Sequence, residues 1–289
     1  MSLLLLLIIS TTSAFSAPDS SVSGVKIVTR QVAGAVSDTK TEYLTASSLR
    51  SEWQSHYGDR SGPPMASIVQ RGSSQVLLLD MQAREYVTYD TDNSLRPKTH
   101  SLAPSGGVLR IWIDSSDTGE RQEMFGHMAR HIITREKWIA TPGACSRNSE
   151  TETDGWYIED SALPDWRRQK KNGNGVTIAS LVTVNLSSCL DKMDKIELHR
   201  SGLDPGFPLK VTTTTKFEAP DRDGVPRLMA SISGSEVMEF REGQLDPALF
   251  QLPADFRRVE ALKNWYSPPP RRELTGWEWF KQKLQEIFR

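Results

Sequence analysis

RIWID (110–114), SSDTGE (115–120), RQEMFGHMARHIITREKWIA (121–140), TPGACSRNSETET (141–153) and DGWYI (154–158) together decide the fold. The third of these runs carries the longest apolar alternation in the chain. That is the period of a half-buried strand rather than of a helix. With SSDTGE and TPGACSRNSETET read as turns, Arg110 to Ile158 predicts three or four successive antiparallel strands. Cys145 lies just beyond the longest of them.

The same period runs outward on both sides. Upstream, VKIVTRQV (25–32) predicts a first strand and TEYLTASSLRSEWQ (41–54) a second, with Tyr43, Thr45 and Ser47 on one face before a bulge. ASIVQ, QVLLLDM and REYVTYD between Ala66 and Asp90 are short runs joined by RGSS and QA, the spacing of an antiparallel meander. Leu77, Leu78 and Leu79 are apolar in succession, so both faces of that strand should be covered. Downstream, KIELHRSG alternates. PLKVTTTTKFEA sets Val211, Thr213, Thr215 and Phe217 against Lys210, Thr212, Thr214 and Lys216. In PRLMASISGSEVMEFRE, Leu228, Ala230 and Ile232 share a face that Met238 and Phe240 continue, a core face by its pattern.

The ends read differently. MSLLLLLIISTTSAFSA (1–17) has an unbroken apolar run from Leu3 to Ile9 followed by small residues, the pattern of a secretory signal peptide. The run is shorter than the roughly 20 apolar residues that span a bilayer. A periplasmic or secreted protein without a transmembrane helix in its mature chain is therefore expected. At the other end, residues 260–270 form a Pro-rich spacer before residues 271–289. Thr275 and Glu278 fit a capping box, Leu274 and Trp279 fit the staple around it, and Trp277, Phe280, Leu284, Ile287 and Phe288 fall on one stripe. An amphipathic helix over about 276–288 is the expectation. The domain between, residues 25–259, should be mainly β: a mostly antiparallel sheet with a few helices.

Composition narrows the function. Of 289 residues, 35 are Lys or Arg and 36 Asp or Glu, a balance without the basic excess that nucleic acid requires. The two cysteines, Cys145 and Cys189, suggest one disulfide in an exported protein; two buried thiols are the alternative. His127 and His131 have the spacing of zinc ligands on a helix. On a strand they sit more than ~12 Å apart, too far for one ion. No nucleophile elbow, P-loop or dinucleotide fingerprint occurs, and Asp154, Glu159 and Asp160 read as strand-end carboxylates. No catalytic residue, cofactor or metal site is therefore assigned, and the chain is not expected to be an enzyme. Trp53, Trp112, Trp138 and Trp156 each fall in or beside a predicted strand. They either line an apolar pocket or fill the core.

Five stretches carry a resemblance: EYLTASSLRSE (42–52), ASIVQRGSSQVLLLDMQAREYVTY (66–89), GHMARH (126–131), GWYIEDSALP (155–164) and LFQLPADF (249–256). They resemble a family of secreted bacterial proteins of unknown function that is similar to the LolA/LolB-like lipoprotein carriers. The matching positions are an outward Arg50, Tyr86, Gly126 with Ala129, Trp156 to Pro164, and Phe250, Leu252, Pro253 and Phe256. The resemblance implies a mainly β fold built as a curved, incomplete antiparallel barrel, with helices packed in its mouth and a hydrophobic cavity for acyl chains. The chain departs from the carriers in lacking their amphipathic N-terminal helix, in the long stretch around 161–193, and in its extra C-terminal helix.

The expected function is therefore non-enzymatic binding of a hydrophobic or lipid-like ligand in a sheet cavity lined by Trp53, Trp112, Trp138 and Trp156. The alternatives are a structural or protein-interaction module, with the C-terminal helix contacting a protein or a membrane surface, and an envelope hydrolase.

Overall fold

A computed structural model describes residues 21–34, 36–57, 60–90, 103–159, 161, 163, 192–220 and 225–263. These form 14 strands: β1 (Val22–Ala33), β2 (Val36–Thr45), β3 (Ser48–Tyr57), β4 (Arg60–Ser61), β5 (Met65–Gln70), β6 (Gln75–Asp80), β7 (Glu85–Asp90), β8 (Ala103–Met124), β9 (His127–Ala140), β10 (Ser149–Ile158), β11 (Lys192–Gly202), β12 (Phe207–Pro220), β13 (Pro226–Leu245) and β14 (Arg257–Arg258). They make one sheet in the order β11-β8-β9-β10-β12-β13-β1-β2-β3-β5-β6-β7-β14, with β4 paired to β3. The protein is mainly β, as the period of two predicts.

The sheet is mixed rather than wholly antiparallel. β11 runs parallel to β8, and β14 runs parallel to β7. Both pairs lie at the ends of the sheet, where a strand joins its neighbour after a long excursion instead of a hairpin. Among the described residues the helical content is 3-10 alone, at Ser161 and in the turn Pro247–Phe250, in place of the helices expected in a barrel mouth. The signal peptide, Cys189 and the C-terminal helix fall outside the described residues.

Two predicted boundaries move. SSDTGE does not end a strand: β8 continues through it, and the register shift between Asp117 and Arg121 absorbs the extra residues as a bulge. The true turn lies inside RQEMFGHMARH. Met124 pairs with His127, and the two residues between them, Phe125 and Gly126, have φ of 53° and 77°. A two-residue loop with both φ positive is the type I′ turn whose twist matches antiparallel strands. TEYLTASSLRSEWQ is likewise a hairpin, not one strand. Thr45 Oγ1 accepts the backbone N–H of Ser48 at 2.9 Å and reverses the chain between β2 and β3.

The sheet is open but strongly curled. Ala129 on β9, Ile158 on β10, Phe207 and Leu209 on β12, Val237 and Phe240 on β13, Val25 and Ile27 on β1 and Leu44 on β2 share one core. β9 and β13 are three strands apart, ~14 Å in a flat sheet. Nevertheless the His127 ring meets Phe240 edge-on at 5.1 Å. Only a sheet rolled about that core brings them together.

The β5–β6–β7 lobe is covered on both sides, as the triple leucine predicts. Leu78 packs with Met65, Val87 and Leu262, and Leu77 and Leu79 pack with Ile68, Tyr86, Leu252 and Phe256. The segment after β13 thus crosses the sheet edge at β14, with Leu252 and Phe256 on one face and Leu262 on the other. Its 3-10 turn is tied down by Arg50, whose guanidinium donates to Leu249 O at 3.1 Å, and by Gln70, which donates to Phe250 O at 3.1 Å. Arg50 is therefore not outward: it is 5% exposed and also donates to Glu52 at 2.6 Å.

Candidate functional site

The four tryptophans do not meet. Trp53 packs on the Met65–Leu78 cluster, Trp138 is buried with Leu109 and Ile111, and Trp156 lies against the Ile27–Phe240 core. Three of the four thus serve as core. Trp112 is 38% exposed and stacks on His199 at 5.3 Å with nearly parallel rings. It forms the wall of a half-open groove of about 690 Å³ that crosses β11, β8, β9, β10 and β12.

The floor of this groove follows from register. Residues paired across neighbouring strands share a face. Trp112 pairs with His199 and Lys137, Lys137 with Glu150, and Glu150 with Lys216. One row further along, Asp114 pairs with Ser201 and Arg135, Arg135 with Glu152, and Glu152 with Thr214. β10 therefore sets Glu150 and Glu152 beside cations on β9, and Glu150 also faces Lys216 on β12. Lys137 meets Glu150 at 3.0 Å, Arg135 meets Glu152 at 3.0 Å, and Ser201 donates to Asp114 at 2.6 Å. The Lys137 ammonium, and then the charge of Lys216, holds the Glu150 carboxyl below its ordinary range. The ladder continues toward the core, where His131 Nε2 lies 2.7 Å from Asp154 and its ring leans on Trp156 at 4.9 Å. On the reverse face of β10 and β12, Thr151 and Thr153 pair with Thr215 and Thr213 through their hydroxyls.

Beyond β12 the same sheet face turns apolar. Ile232 pairs with Thr214 and Ala230 with Lys216, so Ile232, and Leu228 beyond it, stand on the groove face. The alternation in PRLMASI predicts a core face here. Instead Leu228 is 72% exposed and Ile232 64% exposed. The reason is topological. β1 covers β13 only from Ser233 onward, so the first seven residues of β13 reach past β1. Among the described residues, β12 is their one strand partner.

His131 is not poised as a metal ligand. Its Nδ1 lies 3.1 Å from Thr118 Oγ1, and Asp154 takes the other nitrogen. His127, on the same strand, sits 3.6 Å from Glu242. Among the described residues no group of three His, Cys, Asp or Glu side chains is arranged to hold a metal.

The turn bearing Cys145 is built against β8 and β11. A Cβ at Gly107 would lie 2.1 Å from Ala144 N, so only glycine lets the turn approach β8. Cys145 is buried, and its backbone N–H and that of Ser146 donate to the Asp194 carboxylate at 2.7 and 2.8 Å. Ser105 donates to the same carboxylate at 2.5 Å. Burial alone would raise the Asp194 pKa, but the hydrogen bonds outweigh it and hold the group below its ordinary value. Asp194 thereby fixes the start of β11, and so the His199 side of the groove.

Sequence reading misses the ladder residues, although a signal exists: Glu150, Glu152 and Asp154 alternate, as do Arg135 and Lys137. What is absent from the sequence is which strand lies beside which. No family model and no curated protein matches the chain. Among the described residues, no helix is long and apolar enough to cross a membrane.

Proposed function

We propose that this is a non-enzymatic binding protein of the cell envelope, and that the groove over β11, β8, β9, β10 and β12 holds an amphipathic, lipid-like ligand. The observation that supports the reading is the composition of the groove. A charged floor of Arg135, Lys137, Glu150 and Glu152 lies beside an apolar wall, the Trp112–His199 stack, and the exposed Ile232 and Leu228 stand on the same sheet face beyond β12. A polar group can be matched by the floor while an apolar part displaces water from the wall. On this reading the curled sheet is the incomplete barrel of a LolA/LolB-like carrier. Export by the N-terminal leader and a disulfide between Cys145 and Cys189 belong to the same proposal.

Native mass spectrometry of protein purified from its own host should retain a small amphiphile. Titration with a bromine-labelled acyl chain should quench Trp112 fluorescence, and Trp112→Ala should weaken binding about fivefold or more. A ligand-free preparation that binds no amphiphile would end the proposal.

A second reading, a protein-interaction module, is favoured by the edge of β13. Pro226 to Ile232 carries Leu228, Met229 and Ile232 on a strand that extends past β1, a template for an added strand. Ile232→Lys should abolish partner capture on that reading. On the first reading it should weaken amphiphile binding without changing the oligomeric state.

A further inference from the structure

At the opposite end of β9, away from the groove, the β8–β9 turn carries a second pocket of about 370 Å³ lined by Arg121, His127, Met128, Arg130, Ile158, Glu159 and Ser161. Three observations single it out. First, Arg121 and Arg130 are direct cross-strand partners. Like charges opposite one another are destabilising unless something neutralises them. Arg121 is neutralised by Asp117, which takes both of its terminal nitrogens at 2.8 and 3.0 Å. Arg130 has no such carboxylate among the described residues. Its head group reaches only the carbonyl oxygens of Asp204 and Pro205, both at 3.5 Å, and its Nε is buried without an acceptor.

Second, a buried guanidinium N–H without an acceptor is costly, and a guanidinium fork is matched by the oxygens of a carboxylate or phosphate. Glu159 also lines the pocket, and Glu242 lies beside His127, so the cation left to recruit an anion is Arg130. Third, the pocket has an exposed apolar residue at its edge and adjoins a strained turn. Met128 is 62% exposed, and Phe125, half exposed, holds the first αL position of the turn, where Asn is favoured and a bulky side chain costs about 1–2 kcal/mol. Strain of this kind, kept at an exposed tip, points to use.

We propose that this pocket binds a phosphate group through Arg130, with Phe125 and Met128 contacting an apolar part attached to it. The same chemistry could come from a lipid headgroup or from a soluble phosphate ester, and the two probes below separate them. Inorganic phosphate is titrated by calorimetry into the full chain, and binding is measured separately to phosphatidylglycerol and phosphatidylcholine vesicles. Millimolar phosphate binding that weakens at least tenfold in Arg130→Gln, without vesicle binding, supports a soluble ester. Vesicle binding that falls tenfold in Arg130→Gln and also in Phe125→Asn supports the headgroup. Should Arg130→Gln not fold, Met128→Glu tests the same site from an exposed position. It sets a carboxylate at the lip and should abolish either binding. Failure of the wild type to bind both probes, or binding unchanged in these variants, overturns the site. Neither outcome bears on the Trp112 groove, which shares no residue with it.

Discussion

The β5–β6–β7 lobe and the β9–β10–β12 wing are built from similar strands of one sheet, yet they handle their faces in opposite ways. In the lobe, Leu78 on one side and Leu77 and Leu79 on the other are covered by residues that arrive from β14 and its flanks. In the wing, one face of β10 carries Glu150, Glu152 and Asp154, each paired across to a neighbouring strand and open to solvent. Apolar burial gives the lobe its stability, at about 25 cal/mol per Å². Exposed ion pairs contribute little because water and salt screen them. The difference teaches that the charged ladder is not what holds the wing together. The wing is held from its buried parts, and its ladder face remains available for a ligand.

Four measurements test this contrast. Leu79→Ala should have the largest effect, a loss of about 3 kcal/mol in urea unfolding, because Leu79 is fully buried and its neighbours close over it from two directions. Asp194→Ala should follow, at about 2–3 kcal/mol, since it strips a buried carboxylate from three donors. Because the folded state depresses the Asp194 pKa, its contribution is complete above the unfolded value near ~3.9 and is lost as pH falls through the lower folded value. Asp194→Asn should flatten that acid limb.

Next comes Tyr157, which is buried. Burial, and then the Asp154 charge, push its hydroxyl up to about 12. A raised value for an acid means stability that is present below the unfolded pKa near ~10 and lost as pH rises toward the folded one. About 2 kcal/mol should disappear over that alkaline window, and Tyr157→Phe should remove the loss. Smallest of all, Lys137→Gln and Glu150→Gln, alone or together, should leave the unfolding midpoint unchanged at physiological salt. A large coupling between them would mean the ladder is structural after all.

How much was legible varies by element. The alternation in VKIVTRQV and KIELHRSG and the short apolar runs of ASIVQ and QVLLLDM mark real strands, and LLL marks a strand covered twice. The turn at Phe125–Gly126 carries no local signal, because phenylalanine is not a turn residue at positive φ, whereas Asn-Gly is. SSDTGE reads as a turn because Ser, Asp and Gly serve a bulge as readily as a turn. Trp112 alone of the four tryptophans stands at the groove, and no local feature distinguishes it from Trp53, Trp138 or Trp156.

That this chain folds as a sheet, and along which stretches, can be read from consecutive residues, because a period of two needs no partner. That β11 lies beside β8, that β13 outruns β1, and that carboxylates on β10 meet cations on β9 are products of the assembled fold. Those facts depend on register between strands far apart in the chain. Whether Ile232 ends in a core or on an open sheet face is set by where its neighbours stop.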